Sequence, residues 1–352
     1  MPLTEEDLPD LIIGTLKNFG DRKPTQIAAQ YQQYTFSEVL KKDKMKIGHG
    51  TAINEKVVVS TGGAARRTGL GQKDNVNIGA VLQEINVPFR RYDTHAAHEI
   101  REMLENRDES QLADIIKVRD DMAMLDLWEL LEEDYWSTPA DSNDKEKMWG
   151  VPFWIQKAKT GYATDEPFGF LGGNPGGFSG GAGGLDVATY PNWRNGCFKY
   201  TDISHSDFSE AMCDTFRHIN FKSPVSEKGY MSSTGRRYRI FTNARVLRRL
   251  ETLMKGSNDN LGADFAKYMN QVVFKGLMIQ WVPLLDSDTD DPVYMVDTDV
   301  MYPVVLRGDD FRRSKPRPAA DQHNVMVQFI DLSVNTVCRN RRQCAVGVQV
   351  AA

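Results

Sequence analysis

Residues 172–184, GGNPGGFSGGAGG, hold the closest approach to an active-site motif in the chain. Within them Gly177, Phe178, Ser179, Gly180 and Gly181 read G-x-S-x-G, the pattern of a serine nucleophile raised on a strand-to-helix turn. A serine hydrolase built this way would use Ser179. The pattern needs a strand before it and a helix after it, and the flanking LGGNP and AGGLDV supply neither. A phosphate cradle would end in G-K-[ST] after a strand, which is also missing. Eight glycines in thirteen positions give positive φ and close backbone approach instead. The stretch reads as a flexible or tightly packed loop, of a kind that suits an interface.

Other groupings fall short of chemistry in the same way. HAAHE places His95 and His98 at i, i+3, whereas the zinc-protease pattern sets two histidines at i, i+4 with glutamate between. DSDTDDP, Asp286 to Pro292, lacks the glycine and terminal glutamate of a calcium loop and reads as an acidic turn. In CRNRRQC, Cys338 and Cys344 are too far apart for a zinc knuckle. The basic groups RRTGLGQK, FRRY and CRNRRQC are short, and are expected to pair with carboxylates on this chain or a neighbouring one. No enzyme, metal site or cofactor is expected.

The bulk properties narrow the class. With 352 residues, more than one lobe is expected. Hydrophobic residues at 41% and charged residues at 26% exclude a disordered chain. A net charge of −5 excludes a dedicated nucleic-acid binder with a basic face. No apolar stretch is long enough to span a bilayer, and MPLTEEDLPD has no apolar signal region. Four dispersed cysteines, Cys197, Cys213, Cys338 and Cys344, read as reduced thiols of a cytoplasm-like compartment.

The elements that would position these residues alternate without a βαβ rhythm, which predicts an α+β fold. Residues 1–47 read as an arm with little core of its own, carrying a helix whose apolar stripe is Leu8, Leu11, Ile12, Leu16 and Phe19. That stripe must be buried against its own domain or a neighbouring subunit. Residues 48–92 read as a long hairpin, TAINEKVVVS out and NIGAVLQEINVPFRRY back, with Arg66, Arg67 and Lys73 at the tip. Such a hairpin is marginal alone and needs a surface to lie on. The spacing predicts a long helix over 109–135, with Leu112, Ile115, Ile116, Ala123, Leu127 and Leu130 on one face and its C-terminal half buried on several sides. Another helix is predicted over 207–221. A strand YRIFT then leads into a helix capped by Asn243. Alternating strands close the chain at 330–335 and 346–350.

The order of these pieces resembles the major capsid proteins of tailed bacteriophages, with the Hong-Kong-ninety-seven-type fold. NWRNGCFKYTDISHSDFSEAMCDTFRHINFKSP, RIFTNARVLRRLETLM, FKGLMIQWVPLLD, DPVYMVDTDVMYPVVLRGDDF and QHNVMVQFIDLSVNTVCRNRRQCAV carry the resemblance in the second half. It implies an N-terminal arm at 1–47, an E-loop hairpin at 48–92 and a P domain at 93–205 with its spine helix at 109–135. An A domain at 206–322 and closing P-domain strands at 323–352 would follow. It further implies hexamers and pentamers of an icosahedral shell, built in the cytoplasm of a host bacterium and enclosing double-stranded DNA without sequence-specific contacts. The near-neutral charge suits a container that must release its DNA. Portal and decoration proteins would be partners, with a separate scaffold protein or none, since the chain starts directly at an arm-like helix. Leu8, Leu11, Ile12, Arg66, Arg67, Lys73, Arg90 and Arg91 are the expected contacts between subunits. No trio for a covalent lysine–asparagine cross-link stands out. An encapsulin-like compartment with a protein cargo is the alternative with the same fold.

Overall fold

The computed structural model describes residues 28–60, 63, 65, 67–69, 81–99, 101, 109–164, 166–220, 237–257, 272–320 and 322–350. Side chains within 109–117 and 254–257, and that of His323, are outside this description. Contacts divide the chain into two compact units, Met1–Gln32 and Gln33–Ala352. Of the first, residues 28–32 are described and contain neither helix nor strand. The stripe from Leu8 to Phe19 therefore lies outside the described residues.

The second unit begins with α1, Thr35–Asp43, followed by β1, Met45–Ile47. Phe36, Val39 and Leu40 are fully buried. This corrects the reading of 1–47 as an arm with little core: its last part is core. The signal is three apolar residues at i, i+3 and i+4 in a nine-residue helix, easily lost among glutamines and lysines.

Next come β2, Ala52–Val58, and β3, Leu82–Pro88, which pair antiparallel as a two-stranded hairpin. Its return arm ends at Pro88, which has no N–H to extend a ladder. The chain then enters β4, Arg90–Glu99, in another sheet. Residues 90–92, expected in the hairpin, thus belong to the body.

Helix α2, Glu109–Tyr135, has the expected bounds. Ala123, Leu127 and Leu131 are buried, and Glu132, Asp134 and Tyr135 are buried on further sides. Leu130, expected in the stripe, is 45% exposed. The next residue, Leu131, takes the core position, and Leu130 falls at the stripe's margin. Short helix α3, Val151–Trp154, packs its aromatic residues: Trp149 stacks on Phe153 at 4.6 Å, and Phe178 meets Phe153 edge-on at 4.9 Å.

The remaining elements are β5 (Phe168–Gly169), β6 (Gly196–Tyr200), a π-turn over His205–Ser209 that leads into α4 (Glu210–Ile219), and β7 (Tyr238–Thr242). Then follow α5 (Ala244–Ser257), β8 (Val273–Phe274), β9 (Leu277–Trp281) and β10 (Val293–Asp297). The chain closes with β11 (Met301–Leu306), β12 (Arg312–Arg313), β13 (Arg317–Ala319), β14 (Gln322–Cys338) and β15 (Ala345–Gln349). Asn243 caps α5 as predicted, its Oδ1 accepting from the Val246 N–H at 2.9 Å.

Two larger sheets hold the unit together. In one, β14 pairs on one side with β11, β12 and β13 and on the other with β4 over ten residue pairs, while β1 adds to β11 in parallel. The other runs β5-β6-β15-β10-β7-β9-β8. The expected boundaries at 205/206 and 322/323 are therefore not sheet boundaries. Strands β11 to β13 join the sheet of β4 and β14, and β15 crosses back to lie between β6 and β10. The chain passes between the sheets more often than a linear domain map allows.

Candidate assembly interface

The hairpin presents an outer face that the described residues of its own chain do not cover. Its alternation gives it two faces. On the inner face the register pairs Ile53 with Val87, Glu55 with Ile85 and Val57 with Gln83. Ile53, Ile85 and Val87 are buried there. On the outer face Asn54 opposes Asn86, Lys56 opposes Glu84 and Val58 opposes Leu82. Asn86 Nδ2 donates to Asn54 Oδ1 at 2.9 Å, and all six outer residues are exposed. The outer face therefore turns from polar to apolar toward its distal end, where Leu82 is 59% and Val58 38% exposed. Two large apolar side chains set opposite each other on the outer face of the ribbon have the character of an interface anchor.

The root of α1 is fixed by a carboxylate from another helix. Glu132 accepts from the Thr35 and Phe36 N–H groups at 2.9 and 2.7 Å, from Thr35 Oγ1 and from Trp136 Nε1 at 3.0 Å. It does the work of an N-cap, satisfying the first free N–H groups of α1. Burial raises the Glu132 pKa, and these four donors oppose that rise. Further along, Lys44 and Lys46 converge on Asp310 at 2.8 and 2.6 Å. Burial would raise the Asp310 pKa, but the two ammonium groups outweigh it and hold the carboxyl below its usual range. Arg237 and Arg239 grip Asp43 at 3.1 and 3.0 Å. The segment from 35 to 47 is thus anchored at its start, its middle and its end.

The expected contact residues divide. Arg90 is buried, and its guanidinium donates to the carbonyls of Lys147, Lys145 and Asp144 at 3.0, 2.7 and 2.8 Å. Its donors are spent on its own chain, so it is withdrawn from the contact set. Arg67 and Arg91 are exposed. Leu8, Leu11, Ile12, Arg66 and Lys73 lie outside the described residues.

The chemical candidates resolve into structure. Ser179 lies in an exposed turn with no strand before it and no helix after it, so the geometry of a nucleophile elbow is not there. His95 and His98 lie on a strand, where i, i+3 sends them to opposite faces: His95 is exposed near Phe329 and His98 is buried. The acidic turn serves its own chain. Asp288 and Asp290 pair with Lys157, Asp290 also holds Lys159 at 2.6 Å, and Asp291 meets Arg245 at 3.0 Å.

The basic turn meets expectation in part: Arg339 pairs with the Glu55 carboxylate at 2.8 Å, whereas Arg341 and Arg342 find carbonyls and rings. Arg341 is fully buried and donates to the Trp154 and Gly173 carbonyls at 2.6 and 2.8 Å and to Asn195 Oδ1 at 3.1 Å. Burial lowers its pKa to about 10, so it keeps its charge at neutral pH. Arg342 lies 4.2 Å over the Phe170 ring. Burial pushes the neighbouring Cys197 thiol up to about 12, and all four cysteines are free thiols.

Comparison with solved structures gives this arrangement its class. The chain is similar to the cyanophage A-1(L) capsid asymmetric unit, with a TM-score of 0.65 at 13% identity, over 94% of this chain and 97% of that one. It is similar to the capsid of a native GTA particle, with a TM-score of 0.56 at 12% identity, over 94% and 95%. For the capsid of Myoviridae phage XM1 the TM-score is 0.53 at 11% identity, over 96% and 98%. No protein-family model and no curated protein sequence matches. The chain has the α+β fold of tailed-phage capsid proteins. Both chains are covered almost end to end, so the likeness embraces the whole architecture rather than one lobe.

Proposed function

We propose that this chain is a major capsid protein, the repeating subunit of an icosahedral shell that encloses double-stranded phage DNA. The likeness to capsid chains along almost its full length carries the reading. The hairpin supports it, because Val58 and Leu82 form an exposed apolar pair on its outer face. Closed shells need one surface of each subunit to fit a different surface of the next, repeated around rings of six and five. The distal hairpin is one such surface. Arg67 and Arg91 add exposed cations for acidic groups on the neighbour. Leu8, Leu11, Ile12, Arg66 and Lys73 belong to the same proposal on their sequence alone. In this reading the chain belongs to the virion shell and is assembled in the host cytoplasm, with a portal and decoration or scaffold proteins as further partners.

Nuclease treatment of native particles tests the enclosed cargo. The proposal expects genome-length double-stranded DNA protected inside a shell of this chain. Shells that protect only a folded protein cargo would instead make it a compartment protein.

A further inference from the structure

The shell reading leaves the glycine loop without a task. We propose that residues 172–184 form a rigid seat that sets the angle of the hairpin to the body of the subunit before any neighbour binds. The value of that angle to a shell rests on the capsid reading; the seat itself does not.

The seat acts on one rung of the hairpin ladder, where Glu55 and Ile85 stand side by side on the inner face. On the Ile85 side the contact is with Gly183, whose φ is +71°. A Cβ added there would lie 2.4 Å from Ile85 Cγ2 and 3.4 Å from the Trp154 ring. Glycine alone fits both that positive φ and the space left beside the Ile85 side chain. The Gly183 carbonyl also accepts from the Asn86 N–H at 3.3 Å, so the loop bonds directly to β3.

The loop is braced from behind. The Ala182 carbonyl accepts from Trp193 Nε1 at 3.0 Å, and Asn174 binds both Asp186 and the Val187 N–H. Gly172 presses so closely on Asn195 that a Cβ would overlap its side chain. These contacts make the loop a packed wall rather than a flexible link.

On the Glu55 side, Arg339 donates to the Glu55 carboxylate at 2.8 Å and Tyr302 donates at 3.3 Å, with the guanidinium 5.2 Å from the Tyr302 ring. One rung is therefore held at both ends by different elements. The apolar pair Val58–Leu82 lies three residues further along the same ribbon, so the position of the rung sets where that pair is presented.

Hydrogen exchange on the full chain in its soluble, unassembled form tests the seat independently of shell formation. Gly183→Ala is expected to speed exchange of the hairpin amides in 52–58 and 82–88 about tenfold, with β7, β10 and β14 unchanged. Gly180→Ala is the control in the same loop, because a Cβ there meets nothing within 4 Å, and it should leave the hairpin at its native rate. Should Gly183→Ala not yield folded protein, Glu55→Ala reads the opposite hold and should speed hairpin exchange by about threefold. Unchanged hairpin exchange in the folded variant, or equal loosening by Gly180→Ala, would overturn the seat. A chain that never forms shells yet shows the Gly183-specific response would overturn the capsid reading and leave the seat standing.

Discussion

At the scale of single residues, the structure is held by polar groups whose partners come from far along the chain. Arg341 donates to Trp154, Gly173 and Asn195, which are 187, 168 and 146 positions away. Nothing in CRNRRQC tells which arginine will be buried, because the acceptors are backbone carbonyls and one amide that only the fold brings together. Replacing Arg341 with methionine keeps the apolar volume but strands those acceptors, at a cost on the order of 3 kcal/mol. A urea melt of the soluble subunit should show that loss as a lower midpoint with an unchanged slope. Asp310 makes the pH case. Its folded pKa is depressed by Lys44 and Lys46, so its contribution is present above the unfolded carboxylate pKa of about 3.9 and disappears as pH falls through the lower folded value. Asp310→Asn should therefore lower stability at pH 7 and flatten the acid side of the stability curve. An acid limb as steep as that of the native chain would show that Asp310 does not contribute there.

At the scale of elements, legibility followed the length of the periodic signal. Helix α2 announces itself over 27 residues, long enough for the stripe of Ala123 and Leu127 to average over local noise, though not to separate Leu130 from Leu131. The hairpin was legible from its β-branched arms and glycine-rich middle. Its end at Pro88 was not, because FRRY continues with strand-forming residues into a different sheet. Helix α1 was missed because its apolar contacts fit within a single short helix whose first N–H groups are satisfied by Glu132, 97 residues away from Thr35. Of the candidate interface, cations are visible in sequence but their use is not. Arg90 and Arg91 are adjacent, and the two-residue period of β4 buries one and exposes the other. The exposed Leu82 became visible only once register placed it opposite Val58. Leu82→Asp should leave the subunit's melting transition within about 0.5 kcal/mol of native, since the side chain is mostly in water. The same change should abolish assembly. Particles that still form with this variant would remove the hairpin end from the interface.

At the scale of the whole molecule, the α+β architecture was legible and the sheet membership was not. Alternation identifies a strand and its buried face, but it does not name the partner strand. Strand β15 follows β14 after a short turn yet pairs with β6 and β10 in the other sheet. Crossings of this kind tie the two sheets into one unit, which suits a building block placed in many copies. The proposed function requires this chain to assemble. Size-exclusion chromatography of the purified chain, with electron micrographs of the leading peak, tests it most directly. Closed shells, or rings of five and six subunits, are the predicted result. A stable monomer of 39.8 kDa at every concentration and salt tried would contradict it.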